Sequence, residues 1–372
     1  MPPTPDKPRR LLVVMPSWVG DAVMATPALR RIRDALPGAF IGALARPGID
    51  QILDGSDYFD ELHVDRASGV LGPKLVAAKL RPRRYDTALL LTNSFSTALI
   101  ARIAGIPRRI GYDRDARRLL LTDPIRAPRT PSGAFAMVPA VNAYWTLASA
   151  ITRDSPAPPR PDQPISNTHA PLILPPGARL SLTPTDRERA RARDVLESAG
   201  VAPDVRVAIL NPGGNNPAKR WPPERFAAVA DHLARAHNLR VLINTAPPEI
   251  DIARAIIERA KTEPIALSDH GSTLGALKPL CARASIMVTN DTGPRHIAAA
   301  MGTPLVSLFG PTDPRWTTIP VRTLACNRPA EIILVADPSL PTELSSNDHP
   351  KRCAIERITT ERVVEAIDAL LT

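Results

Sequence analysis

The sequence predicts an α/β fold built from two doubly wound parallel sheets joined by a linker. Three observations carry that expectation. Short aliphatic, β-branched runs alternate with helical patterns through the chain, as they do when helices cover both faces of a parallel sheet. The 372 residues exceed one average domain. A proline-rich stretch, SPAPPRPDQPIS at 155–166, prolonged by LPPG at 174–177, has no periodicity and interrupts the alternation once.

The elements follow in order. MPPTPDKPRR reads as a loose arm, since no signal-peptide apolar core comes after it. LLVVM (11–15) is a strand, AVMATPALRRIRDAL (22–36) a helix, FIGALA (40–45) and TALLLTN (87–93) are strands, and SFSTALIARIAG (94–105) is a helix. Past the linker come strands VRVAIL (205–210), RVLINT (240–245), SIMVTN (285–290) and PLVSLFG (304–310). Between them lie helices RFAAVADHLARAH (225–237), IDIARAIIERA (250–260), LGALKPLCARA (274–284) and RHIAAAMG (295–302). This sets a first domain at 1–165, a linker at 166–178 and a second domain at 179–354. The last helix, 359–372, is expected to pack back on the first domain. Ligands of such sheets bind at the carboxyl ends of the strands, so two facing domains leave a cleft there.

Net charge is +10 and uneven. Residues 1–165 carry 23 Lys and Arg against 15 Asp and Glu, and residues 166–372 carry 24 against 22. A positive first domain calls for an anionic partner: nucleic acid, a membrane surface or a phosphorylated substrate. With aromatic residues at 4% and no nucleic-acid-binding motif, nucleic acid is not expected. The cations concentrate in RPRRYD and IPRRIGYDRDARR, as Arg81, Arg83, Arg84, Arg108, Arg109, Arg114, Arg117 and Arg118. No uncharged apolar run reaches transmembrane length. Three scattered cysteines, Cys281, Cys326 and Cys353, fit reduced thiols in a cytoplasmic protein better than a disulfide framework or a zinc site.

Three loops hold the chemistry. In PSWVGDAV, Gly20 permits a tight turn and sets Asp21 at or near the N-cap of the next helix, as a cap or as a working carboxylate. The G-x-G-x-x-G spacing of a dinucleotide site is absent. In NPGGNNPAKRWPPERF (211–226), Gly213 and Gly214 let backbone N–H groups approach a ligand, and Lys219 and Arg220 bring charge. Trp221 and Pro222 set the entry to the next helix. In VTNDTGPRHIAAAMGTP (288–304), a strand ends in Asp291, Thr292 and Gly293, and Pro294 suits the first helical position. The free N–H groups of that helix, with the Thr292 hydroxyl, make an anion site, and His296 lies in the first turn. Together the loops outline a nucleotide diphosphate on the second domain and, on the first, a carboxylate able to take a proton from an acceptor hydroxyl. No cluster of metal ligands lies beside them, so neither metal nor cofactor is expected.

PSWVGDAVMATPALRRIR, NSFSTALIARIAGIPRRIGY, NPGGNNPAKRWP and NDTGPRHIAAAMGTPLVSLFGPTDP together resemble the ADP-heptose:lipopolysaccharide heptosyltransferases, in the same order and over nearly the whole chain. The first two are closest to the heptosyltransferase II group. The resemblance implies a GT-B fold: two Rossmann-like domains, with the acceptor on the first and ADP-heptose on the second. It implies inverting transfer of L-glycero-D-manno-heptose to a heptose of the lipopolysaccharide inner core. The enzyme is then cytoplasmic, peripheral on the inner membrane, and its acceptor is anionic. A sister enzyme with another core acceptor, or a non-catalytic nucleotide-sugar or nucleic-acid-binding protein, is the alternative.

By the same resemblance Asp21 matches the general base and Lys219 the phosphate-binding lysine, with Gly214 and Asn215 in its loop. Asp291, Thr292, Gly293 and His296 match the loop that holds the donor's pyrophosphate and heptose. Glu249 falls at the ribose, and main chain near Ser272 and Thr273 at the adenine. Pro294 and Arg295 replace an apolar pair, so Arg295 either adds charge near the phosphates or faces solvent. A cysteine-rich loop is reduced to HPKRCAIERIT, and 335–350 is a polar insertion.

Overall fold

The computed structural model describes residues 7–131, 133–152, 165–325 and 328–372. Cys326 and most of the proline-rich stretch lie outside them. The described chain divides into two compact units, 7–152 with 172–178, and 165–171 with 179–372.

In the first unit the strands are β1 (Arg10–Val14), β2 (Phe40–Ala45), β3 (Glu61–Val64), β4 (Thr87–Leu90), β5 (Arg108–Tyr112) and β6 (Asp123–Ile125). They pair in the order β3-β2-β1-β4-β5-β6, parallel throughout. The helices are α1 (Val19–Met24), α2 (Thr26–Ala35), α3 (Ile49–Leu53), α4 (Gly72–Leu80), α5 (Phe95–Ile103) and α6 (Ala140–Thr152). β1 is buried over Leu11, Leu12, Val13 and Val14, as a strand covered on both faces must be. The single helix expected at 22–36 is two helices that meet at Ala25. Pro27 has no N–H for the carbonyl of Val23, and the Thr26 hydroxyl donates to that carbonyl instead, at 2.7 Å.

The second unit repeats the plan. Its strands are β7 (Val207–Asn211), β8 (Arg240–Ile243), β9 (Ile265–Ala266), β10 (Ala284–Asn290), β11 (Leu305–Phe309) and β12 (Glu331–Val335), in the order β12-β11-β10-β7-β8-β9. The pairs are again all parallel. The helices are α7 (Asp186–Ser198), α8 (Pro223–His237), α9 (Ile250–Arg259), α10 (Leu277–Arg283), α11 (Gly293–Met301) and α12 (Thr360–Leu371). α7 opens with a full capping box, in which Thr185 and Glu188 satisfy each other's backbone N–H.

Two boundaries differ from those expected. The segment placed in a linker is shared out: the Asn167 amide donates to Pro338 O at 2.9 Å in the second unit, while Ile173 N donates to Asn142 Oδ1 at 3.0 Å in the first. The closing helix α12 does not belong to the first domain. Val363, Ala366, Ile367 and Leu370 enter the core of the second unit with Val229, Val288 and Val306. An amphipathic helix is held by whichever apolar face lacks a cover, and here that face is the sheet beside α8.

In each sheet the strand order reverses once, between β1 and β4 and between β7 and β10. A doubly wound sheet opens a crevice at that point, at the carboxyl ends of the strands. All three loops singled out in the sequence follow β1, β7 or β10.

Candidate active site

Asp21 sits in the first turn of α1, just past the end of β1, partly buried. The N-cap position belongs to Trp18, so Asp21 is not the cap. Its Oδ1 accepts a hydrogen bond from the Tyr144 hydroxyl of α6 at 3.1 Å. Burial, and then the Asp21 charge, push the Tyr144 phenol well above its ordinary range, so it remains a donor at neutral pH. Across the switch point, Arg117 is fully buried and clamps the ends of the neighbouring strands. Its guanidinium donates to Tyr112 O at 2.9 Å, to Thr92 O, and to Asn93 Oδ1 at 3.2 Å. Burial lowers its pKa to about 10, which leaves it charged at neutral pH.

The arginines expected to meet an acceptor are therefore mostly committed elsewhere. Arg109 is buried among the carbonyls of Ile106, Pro107 and Leu120. Arg83 pairs with Glu61 at 2.6 Å, Arg108 with Asp123 at 3.1 Å and Arg118 with Asp113 at 3.5 Å. Arg81 donates to Ile103 O at 2.9 Å, and Arg114 lies over the Phe135 ring. A run of arginines in sequence is, in the fold, a set of clamps on carbonyls and carboxylates of the same unit.

At the second switch point, the loops after β7 and β10 are tied by an ion pair. Lys219 Nζ lies 2.8 Å from Asp291 Oδ2, to which the Thr312 hydroxyl also donates at 3.1 Å. Burial of Asp291 pushes its carboxyl up, but Lys219 and Arg295 outweigh that, and it lies below the usual carboxylate range. It is an anion. Beneath the pair, Asn244 Nδ2 donates to Asn211 Oδ1 at 2.7 Å, and Asn211 Nδ2 donates to the hydroxyls of Thr289 and Thr292 at 3.0 and 2.8 Å. Asn290 Nδ2 holds Pro212 O at 2.7 Å, so each loop fixes the other. Trp221 is fully buried edge-on to Phe226, and its indole donates to Ile358 O at 2.9 Å. Pro222 is the N-cap of α8, as the sequence indicated.

The expected residues take distinct places. Thr292 is the N-cap of α11 but makes no side-chain cap bond, and Gly293 opens the helix. Asn215 stands exposed at the loop tip. Gly214 does not offer its N–H: it donates to Glu249 Oε1 at 2.7 Å, while Gly214 O accepts from Arg220 Nε at 2.7 Å. Glu249, expected at the ribose, thus braces the glycine loop, and a Cβ on Gly213 would run into its carboxylate. Ser272 and Thr273 follow β9 at the same sheet edge. His296 is buried, with no partner for Nδ1 among the described residues. Burial, then Arg295, lower its pKa to about 3, so the imidazole is neutral.

Arg295 does not face solvent, and its charge acts on Asp291 in the same loop. The arginine is fully buried and forks onto Glu331, Nε to Oε1 at 2.6 Å and Nη2 to Oε2 at 3.0 Å. The 335–350 segment is likewise anchored by an internal pair: Arg315 forks onto Asp313 and reaches Thr342 O and Leu344 O, and Asp313 N donates to Asn347 Oδ1 at 3.0 Å. Sequence reasoning missed Tyr144 and Glu331 and read Arg117 as a cation for an anionic partner. Tyr144 reaches Asp21 from 123 residues away and Glu331 reaches Arg295 from 36, with no local pattern to join them. Cys281 and Cys353 are buried free thiols.

Two Rossmann-like units, one with a carboxylate at its switch point and the other with a lysine and an open helix N-terminus, define a glycosyltransferase of GT-B type. The chain belongs to glycosyltransferase family 9 (heptosyltransferase), whose sequence model matches residues 75–343. Lipopolysaccharide heptosyltransferase 2 of Escherichia coli K12 is 28% identical over 97% of this chain and 98% of its own length. The fold is shared with an E. coli ADP-heptose LPS heptosyltransferase II (TM-score 0.75, 24% identity, 97% of this chain and 98% of that one). It is shared equally with a family 9 glycosyl transferase of Veillonella parvula DSM 2008 (TM-score 0.75, 23%, 98% and 97%).

Two substitutions test these local assignments by urea denaturation. Glu331→Gln leaves Arg295 buried without its counter-charge and should cost about 3–5 kcal/mol. Gly213→Ala displaces Glu249, strands the Gly214 N–H, and should cost about 1–3 kcal/mol. Wild-type stability in either variant contradicts the assignment.

Proposed function

We propose that the protein transfers L-glycero-D-manno-heptose from ADP-heptose to a heptose of the lipopolysaccharide inner core, with inversion at the anomeric carbon. One observation carries the reading: Lys219, held by ionised Asp291, stands beside a helix N-terminus that has no side-chain cap. An ammonium, a hydroxyl and free N–H groups together recognise a diphosphate. Asp291, an anion, suits a sugar hydroxyl rather than a phosphate, and accepts its hydrogen bond. The relatives named heptosyltransferase 2 support the inner-core acceptor over that of a sister enzyme.

In this reading the acceptor hydroxyl oxygen attacks the anomeric carbon and its proton passes to the Asp21 carboxylate. The bond from that carbon to the diphosphate oxygen breaks, and ADP departs with the electron pair. Lys219 and the N-terminus of α11 stabilise the charge that develops on the leaving group, a role that needs no metal. Tyr144 is a positioning residue: it holds Oδ1 of Asp21 and fixes the carboxylate's orientation. The basic first unit suits an anionic acceptor carried at a membrane.

The test is to incubate the protein with ADP-heptose and heptose-deficient core acceptors and weigh the products. An acceptor heavier by one heptosyl residue, formed equally in EDTA, is expected. No gain in mass overturns the reading, and loss in EDTA restored by Mg²⁺ overturns the metal-free route. Asp21→Asn should retain ADP binding and lose about 10²–10⁴-fold in turnover. Tyr144→Phe should lower kcat about ten-fold or more, the worth of a hydrogen bond to a charged group, and leave the donor KM in place.

A further inference from the structure

We propose that the segment 66–84 of the first unit docks on an anionic lipid surface. The proposal deepens the functional reading above, in which the acceptor is carried by a membrane. Over these 19 residues, RASGVLGPKLVAAKLRPRR, there are six cations and no acid. Of the cations only Arg83 has a carboxylate partner among the described residues, Glu61. Arg46, the neighbour that donates to Ala67 O, adds a further positive charge at the base of the segment, shared with Asp65 at 3.8 Å.

The apolar side chains tell the same story. Helix α4 buries Val76, Ala77 and Leu80 against Leu12, Leu44 and Leu90, which accounts for its inner face. Its outer face should then be polar, but Leu71 and Leu75 stand 66% and 57% exposed, and Val70, in the turn before it, 97%. A helix apolar on both sides belongs in a buried place, yet this one has solvent on one side. Lys74, Ala78 and Lys79 share the outer face, one to four residues from the leucines. Leucines inserted among lysines, with no acid, make the pattern of a helix that lies in a membrane interface.

Position strengthens the case. All six exposed large hydrophobic residues of the described first unit, Trp18, Val70, Leu71, Leu75, Phe95 and Leu119, follow β1, β3, β4 or β5. Trp18, Val70, Leu71 and Phe95 stand in the connections leaving the carboxyl ends of β1, β3 and β4, the edge that carries Asp21, with Leu75 a turn further along α4. Scattered singly, such residues need no explanation. Gathered on one edge beside unpaired cations, they fit a bilayer of negative headgroups, where the leucines enter the acyl boundary and the lysines remain with the phosphates. A lipid-borne acceptor would then be presented to the edge that holds the base.

The experiment is co-sedimentation of the full chain with vesicles of phosphatidylcholine alone and of an equal mixture with phosphatidylglycerol, at low and physiological salt. Binding is expected to the mixture, weaker to phosphatidylcholine, and falling as salt rises. Lys74→Gln with Lys79→Gln should reduce partitioning roughly 25-fold, about five-fold for each cation. Leu71→Ser with Leu75→Ser should reduce it at least as much. All four side chains are exposed, so circular dichroism and urea midpoints should match the wild type. Wild-type protein that stays in the supernatant, or variants that sediment as it does, overturns the proposal. Transfer to a deacylated, water-soluble core acceptor is measured in parallel and should be equal in all forms. Vesicle binding without any transfer rejects the functional reading alone, and transfer without vesicle binding rejects the docking alone.

Discussion

The ion pair between Lys219 and Asp291 joins the two loops on which the second unit's chemistry rests. Leaving a buried carboxylate charged is unfavourable without a close cation, and here the lysine and the Thr312 hydroxyl meet that requirement at 2.8 and 3.1 Å. The pair also settles geometry. The loop after β7 cannot swing without breaking it, and the Asn211–Asn244–Thr292 network beneath locks the strand ends together. A lysine that is otherwise a flexible point charge becomes a fixed one. Without that constraint, the open N-terminus of α11 would be an ordinary helix start.

The first unit solves the same problem with different groups. Its switch point holds a carboxylate, Asp21, oriented by a buried tyrosine, while a buried guanidinium ties the ends of β4 and β5 through carbonyl oxygens. Arginine suits that clamp because its planar fork offers five donors in fixed directions, more than a lysine could supply. Much of the positive charge of this unit is thus structural, and the longest acid-free run of exposed cations is 66–84.

The alternation of short strands and helices made the architecture legible, because a parallel sheet covered on both faces leaves that trace directly in the sequence. The loops after β1, β7 and β10 were legible for the same reason: each combines glycine or proline with polar residues where a strand hands over to a helix. What was not legible depends on contacts distant in sequence. Pro27 broke a helix that periodicity ran through. The apolar stripe of α12 revealed that it packs, not against what. Arg295 read as a free cation because Glu331 lies 36 residues away. Glu249 read as a ligand although its nearest duty is to Gly214, and no local pattern pointed to Tyr144 as the partner of Asp21.

The account's central claim is a division of labour within one ion pair: Lys219 holds the donor's diphosphate and Asp291 its sugar. Calorimetry of ADP and ADP-heptose binding to Lys219→Ala and Asp291→Asn tests it directly. Lys219→Ala should weaken both ligands by about 1.5–3 kcal/mol, the worth of a charge-assisted contact. Asp291→Asn should weaken ADP-heptose more than ADP, since both ligands lose the fixed lysine and only ADP-heptose also loses the sugar contact. Unchanged ADP affinity in Lys219→Ala, or equal losses of both ligands in Asp291→Asn, would contradict the account.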